Sequence, residues 1–327
     1  MSDLNSRAVR AIRGASAGWE RFWFSEIPPH IYALLRILLG IVACASLLGL
    51  SDLAAFWDLD GFVPLGDKGL GFKSWLVLHT AGHIEGRVLF FTCLTAYALM
   101  AIGFRTSLTV ALSLAASIAQ LFWNHLPLSA AHAALQSGLF CLVWAECGSV
   151  WSLDAWLSRT AESRHPTPDP GRCSLAPLRL IRFQIALIYL SSGLWKLSNP
   201  LWRDGSAVHY VVNANVYQRF PYELPTALAS FTTLLTYAVL FWELAFALMI
   251  LWRPTRRVAL IAGVLIHVGM TAAIEIGPFP WVMLSGYAAF FDPEVVRDLP
   301  GRVRQCLQRR NRKGTLKREA TTLAPNA

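Results

Sequence analysis

Apolar residues run in blocks of about twenty along most of this chain, separated by short polar turns rich in arginine, proline or glycine. A helix of that length matches the roughly 30 Å of hydrocarbon in a bilayer. The pattern predicts spans over 31–50, 86–104, 106–123, 132–151, 178–196, 228–252 and 257–276, with a shorter apolar segment over 281–291. The fold class expected is therefore an all-α integral membrane protein, a bundle of about seven to eight transmembrane helices. Gly103-Phe104-Arg105 is too short a link for anything but a tight helical hairpin.

Three stretches follow from the same pattern. Residues 1–30 form a basic amphipathic segment, with Arg7, Arg10, Arg13 and Arg21 interleaved with Trp19, Phe22, Trp23 and Phe24, as suits a helix lying on a membrane surface. Residues 31–295 hold the transmembrane domain. Residues 296–327 form a basic tail expected to be disordered and drawn to anionic lipid. Two longer loops, 51–85 and 197–228, are aromatic-rich, and the second is a candidate re-entrant or interfacial lid.

Composition supports the lipid environment. Of 327 residues 55% are hydrophobic and only 15% charged, against about 25% charged in a soluble domain; mean hydropathy is +0.44. The net charge of +9 lies in flanks between apolar blocks, which points to topology and away from nucleic acid. With the N-terminus and tail in the cytoplasm, Arg105, the 154–177 loop and Arg253–Arg257 all fall inside, and both aromatic loops fall on the outer side of a plasma membrane. The six scattered cysteines show neither a disulfide framework nor metal-ligand spacing, so no metal is expected. Ile41-Val42-Ala43-Cys44 resembles a lipoprotein box, but it sits too deep for a cleaved leader, and 31–50 reads as an uncleaved span.

Ionisable residues inside spans are expensive, so each is a functional candidate: Arg36, Glu146, Arg182, Lys196, Glu243, His267 and Glu275, with His132 at a helix entrance. Arg182 reads as a snorkelling or helix-pairing residue, and Glu243 as the partner of an arginine such as Arg36 or Arg182. His267 alone would be a hydrogen-bonded packing residue. Lys196, His132 and His267, however, come from three spans and fall at similar depth on the outer side. A desolvated lysine is a usable general base, and neutral histidines can bind or stabilise an oxyanion.

Two stretches carry a family resemblance. YLSSGLWKLSNPLWRDG and HVGMTAAIEIGPFPWVML resemble the Gly-x-x-Lys-Leu and His…Ile-Gly-x-Phe segments of the vitamin K-dependent gamma-glutamyl carboxylases, within the wider horizontally transferred transmembrane (HTTM) domain family. The resemblance covers roughly residues 20–295. It implies that Lys196 is the base that deprotonates reduced vitamin K or a related menaquinol, in a reaction that carboxylates a glutamate side chain. It also implies that His267 is the motif histidine and His132 a supporting group. Trp195 stands where the carboxylases have a second lysine, and the chain stops shortly after its last span, without their large substrate-binding part. Some short relatives resemble a membrane protein required to mature a secreted toxin peptide. Two readings stay open: a quinol- and oxygen-dependent modifying enzyme, and a non-catalytic protein assisting maturation or export of a secreted peptide. A transporter is disfavoured, since no inverted repeat is visible.

Overall fold

The computed structural model describes residues 14, 16–52, 56–57, 85–123, 130–161, 171–220, 223–302, 304, 305 and 308. Most of the 51–85 loop, the turn containing His125, residues 162–170 and, in the tail, 303, 306, 307 and 309–327 lie outside the described residues. The helices in chain order are α1 (His30–Leu48), α2 (Gly86–Ile102), α3 (Thr106–Trp123), α4 (Ala130–Val143), α5 (Leu153–Ala161), α6 (Ala176–Ser198), α7 (Pro200–Arg203), α8 (Ala207–Asn213), α9 (Ala229–Leu251), α10 (Arg253–Ala273) and α11 (Phe279–Tyr287). Among the described residues one sheet forms, pairing two-residue strands, β1 (Glu26–Ile27) and β2 (Cys173–Ser174), antiparallel.

Among the described residues three helical stretches, His30–Leu48, Thr226–Leu251 and Arg253–Ala273, are long and apolar enough to cross a membrane. Gly86–Ile102, Thr106–Leu121 and Ala130–Val143 are apolar but shorter. α6 has the length, but Arg179, Arg182 and Lys196 dilute its apolar character. Helices adjacent in sequence pack side by side from α1 to α4; α6 then packs on α4, α9 on α6 and α10 on α9. α11 fills the space between α1, α4, α6 and α10. One end of the bundle is tied by Tyr32 of α1, whose hydroxyl donates to Ser174 O at 2.6 Å and accepts from Leu178 N at 3.1 Å. Beyond it, residues 16–24 are helical with Trp19 and Phe24 exposed, and the Arg179 guanidinium sits 3.7 Å over the Phe22 ring.

One sequence expectation is corrected. The block 132–151 is helical only to Val143, because the fully buried Arg36 needs acceptors and finds them in the following turn, at Cys147 O (2.9 Å) and Trp151 O (2.5 Å). Glu146 is accordingly exposed in a turn and not inside a span. The final apolar segment forms α11, about 13 Å long, which reaches only about halfway through a bilayer. Pro278 opens it after the Ile276–Gly277 break, and a 3-10 turn, Ala288–Phe290, closes it.

The 197–228 loop contains α7 and α8 and is fastened over the end of α10. Gln218 bridges Ile274, Glu275 N donates to Tyr217 O at 2.8 Å, and Arg219 pairs with Glu275 at 2.6 Å.

Candidate functional site

Lys196 lies in the last turn of α6, at the end of the bundle opposite Arg182. The helix beside it comes close because residue 193 is glycine: a Cβ there would stand 2.9 Å from Leu244 Cδ2. That approach places Glu243 of α9 against Lys196, and the two form an ion pair, with side chains 18% and 10% exposed. Lys196 Nζ also donates to Ser192 Oγ at 3.3 Å and stands 4.8 Å from the centroid of the Trp202 ring. Two charges taken out of water are tolerated when they face each other and costly when separated. The expectation that Glu243 pairs with an arginine is thus overturned: Arg36 is spent on turn carbonyls, and Arg182 donates to Ala289 O (2.7 Å) and Phe291 O (3.4 Å). Glu243 Oε2 is buried and has no hydrogen-bond partner among the described residues.

Two helical turns before Lys196, on the same face of α6, is Tyr189. Its hydroxyl lies 2.6 Å from His267 Nε2 of α10 and 2.7 Å from the Tyr287 hydroxyl at the end of α11. All three residues are buried. The network fits because residue 263 is glycine: a Cβ there would overlap the Tyr287 hydroxyl and approach Trp242 Cζ2 to 2.7 Å. Trp242 and Phe246 of α9 pack on Tyr189 with ring centroids 4.7 and 4.3 Å away. His267 Nδ1 has no partner among the described residues. A phenol that bridges an imidazole and a second phenol can pass a proton between them without moving heavy atoms.

His132 stands apart from both groups. It sits in the first turn of α4, with Nε2 2.6 Å from Ser117 O of α3, and lines a cavity of about 70 Å³ with Ser46, Tyr97, Gln120 and Pro278. The start of α11 divides the two regions: Pro278 faces the His132 cavity, and the Phe279 ring lies 5.7 Å from His267. Lys196 and His267 therefore share the α6–α9–α10 region, and His132 belongs to the α1–α3–α4 side. Glu275 is exposed and paired with Arg219.

Sequence reasoning missed Tyr189, Tyr287 and Trp202. The signal was present: Tyr189 falls on the Lys196 face of α6, and Tyr287 lies three residues past the end of the second motif. Tyrosine in an apolar helix reads as ordinary core until a hydroxyl partner is seen.

A bundle of apolar helices closed around an ion pair and a hydrogen-bonded interior defines a polytopic helical membrane protein. The chain belongs to the HTTM domain family, which matches residues 24–294. A curated relative is the "Sporulation-delaying protein SdpB" of Bacillus subtilis (strain 168), 30% identical over 121 residues. That match covers 36% of this chain and 38% of the relative, so it compares only part of either. No solved structure matches the chain.

Proposed function

We propose that this protein is a membrane enzyme of the carboxylase-like type, using the Lys196–Glu243 pair for acid–base chemistry on a lipid-soluble reduced quinone at the outer face. The observation that carries the reading is the desolvated pair itself, in which Glu243 Oε2 is a buried acceptor with nothing among the described residues to accept from. Such an oxygen fits a phenolic hydroxyl, and the Trp202 indole fits a flat ring. The exposed Trp195 and Phe241, chain neighbours of the pair, offer an apolar approach from lipid. A reduced quinone, when bound, supplies an ionisable hydroxyl and reducing equivalents.

The protein's own part is proton handling. For Lys196 to act as a base, the proton on Nζ first passes along the existing hydrogen bond to Glu243 Oε1, leaving a neutral amine. The Nζ lone pair then takes a proton from the substrate hydroxyl, and Glu243 holds the first one. Tyr189, His267 and Tyr287 form a second proton-bearing group two turns deeper. In this reading the seven longer helices span the plasma membrane, with α11 entering from the outer side, the N-terminus and tail cytoplasmic, and a secreted peptide or protein as acceptor.

The experiment is quinol-dependent oxygen uptake by purified protein in lipid nanodiscs, wild type against Lys196→Met and Glu243→Gln. Uptake in wild type that each variant reduces at least tenfold supports the assignment. Absence of uptake with every quinol tried refutes it.

A second reading is a non-catalytic membrane protein that assists a secreted peptide, and the way Lys196 is held favours it. Lys196 is fully engaged by Glu243, Ser192 and Trp202, as a structural charge would be. Under that reading Lys196→Met/Glu243→Leu keeps the biological activity, whereas under the first it abolishes it.

A further inference from the structure

At the end of the bundle opposite Lys196, three arginines from two helices converge. Arg179 and Arg182 lie one turn apart on α6, and Arg256 lies in the first turn of α10. Arg182 stands within electrostatic range of both others. All three are partly buried, and among the described residues none has a carboxylate within ion-pair distance. Their known partners are neutral: Arg182 donates to Ala289 O and Phe291 O, Arg256 Nε donates to Ile250 O at 3.0 Å, and Arg179 rests on the Phe22 ring. Arg179 Nε is buried and unpartnered. Three like charges held together repel one another, and Asp292, which acts on Arg182 from beyond ion-pair distance, offsets them in part; among the described residues the cluster keeps a net positive charge that suits an anion.

The surroundings say what kind of anion. Leu180 and Phe183 of α6, Leu248 and Leu251 of α9 and Trp252 at the α9–α10 turn are all exposed around this cluster, as acyl-chain-facing and headgroup-level residues are. Guanidinium groups bind phosphate oxygens in a bidentate fork. We propose that Arg179, Arg182 and Arg256 form a binding site for the phosphate of an anionic phospholipid, seated at the bilayer interface with its acyl chains along α6 and α9. Arg182 is the fixed floor of the site, held by two carbonyls, and Arg179 and Arg256 close on the phosphate from either side. A bound lipid would join α6 to the α9–α10 hairpin at the end where neither the ion pair nor the tyrosine network reaches. This inference does not depend on any catalytic role for Lys196.

The test uses the full chain purified in detergent and native mass spectrometry with added phosphatidylglycerol or phosphatidylcholine. Arg179→Gln/Arg256→Gln leaves Arg182 and its carbonyl bonds in place, and a normal monodisperse elution profile checks folding. Wild type should retain phosphatidylglycerol over phosphatidylcholine by roughly tenfold or more, and the double variant should lose most of that preference. Arg253→Gln/Arg257→Gln, which removes two exposed charges from the same turn, should keep it. Equal retention of the two lipids, or equal loss in both double variants, would overturn a localised site. Displacement of the lipid by millimolar inorganic phosphate would show that the cluster recognises a free anion and would overturn the lipid assignment.

Discussion

Removing Lys196 alone should cost far more than removing it together with its partner. In Lys196→Met the Glu243 carboxylate, 8% exposed and with one oxygen already unpartnered among the described residues, loses the counter-charge it is paired with. Breaking a buried pair in this way costs about 3–5 kcal/mol, and the partial exposure of the lysine places the expectation near the lower end. Lys196→Met/Glu243→Leu replaces both ions with apolar groups of similar volume, a change that is about neutral or stabilising by 1–4 kcal/mol. The coupling between the two positions should then be at least about 3 kcal/mol, the cost of Lys196→Met, and larger by whatever Glu243→Leu costs on its own. The measurement is unfolding of the detergent-solubilised protein by SDS titration, followed by tryptophan fluorescence, for wild type, both single variants and the double variant. If the double variant is as unstable as Lys196→Met, or if neither single variant is destabilised beyond about 0.5 kcal/mol, the pair does not hold α6 to α9 and the account of this interface fails.

Three further outcomes follow from the same contacts. Gly263→Ala should destabilise by about 1–3 kcal/mol, since its methyl collides with Tyr287 and Trp242, whereas Gly269→Ala, with open space around it, should stay within about 0.5 kcal/mol in the same titration. Tyr189→Phe leaves His267 Nε2 and the Tyr287 hydroxyl without their shared partner and should cost about 1–3 kcal/mol; Tyr287→Phe, which keeps the Tyr189–His267 bond, should cost less. At the Arg36 end, burial pushes the Asp154 carboxyl up, but hydrogen bonds from Thr106 N and Oγ1 and Arg105 N outweigh it and hold the group below its ordinary value of 3.8. A depressed acid contributes stability above its unfolded pKa and loses it as the pH falls through the folded one. Acid unfolding below about pH 4 should therefore lose one such contribution in Asp154→Asn, seen as a shallower pH dependence; an unchanged profile would rule out this cap.

The helices were legible because each apolar block must satisfy its backbone internally in lipid, and a long helix is the cheapest way to do so. Helix ends were legible where a local signal sets them: Pro29 before α1 and the Gly103–Arg105 turn between α2 and α3. Where a distant side chain decides the end, the sequence misled. α4 stops early because Arg36, more than a hundred positions away, takes the carbonyls of Cys147 and Trp151, and no local rule encodes that. Lys196 and His267 were identifiable as costly polar groups in apolar helices, and family motifs marked both.

Partnership was the part that could not be read. Any of several cations could have met Glu243 by depth and charge alone; the choice fell to Lys196 because Gly193 lets α9 approach α6 at that level, and to no arginine because backbone carbonyls had claimed them. The separation of His132 from His267 was equally invisible, since the predicted spans put both at similar depth and only the insertion of α11 puts them on opposite sides. Sequence by itself determined that this chain is a membrane-embedded helical protein and which residues are too expensive to be idle, because lipid penalises each exposed polar group independently of its neighbours. Tertiary structure decided which of those residues meet, because contacts across a bundle are set by small residues and inserted elements that one-dimensional periodicity does not record.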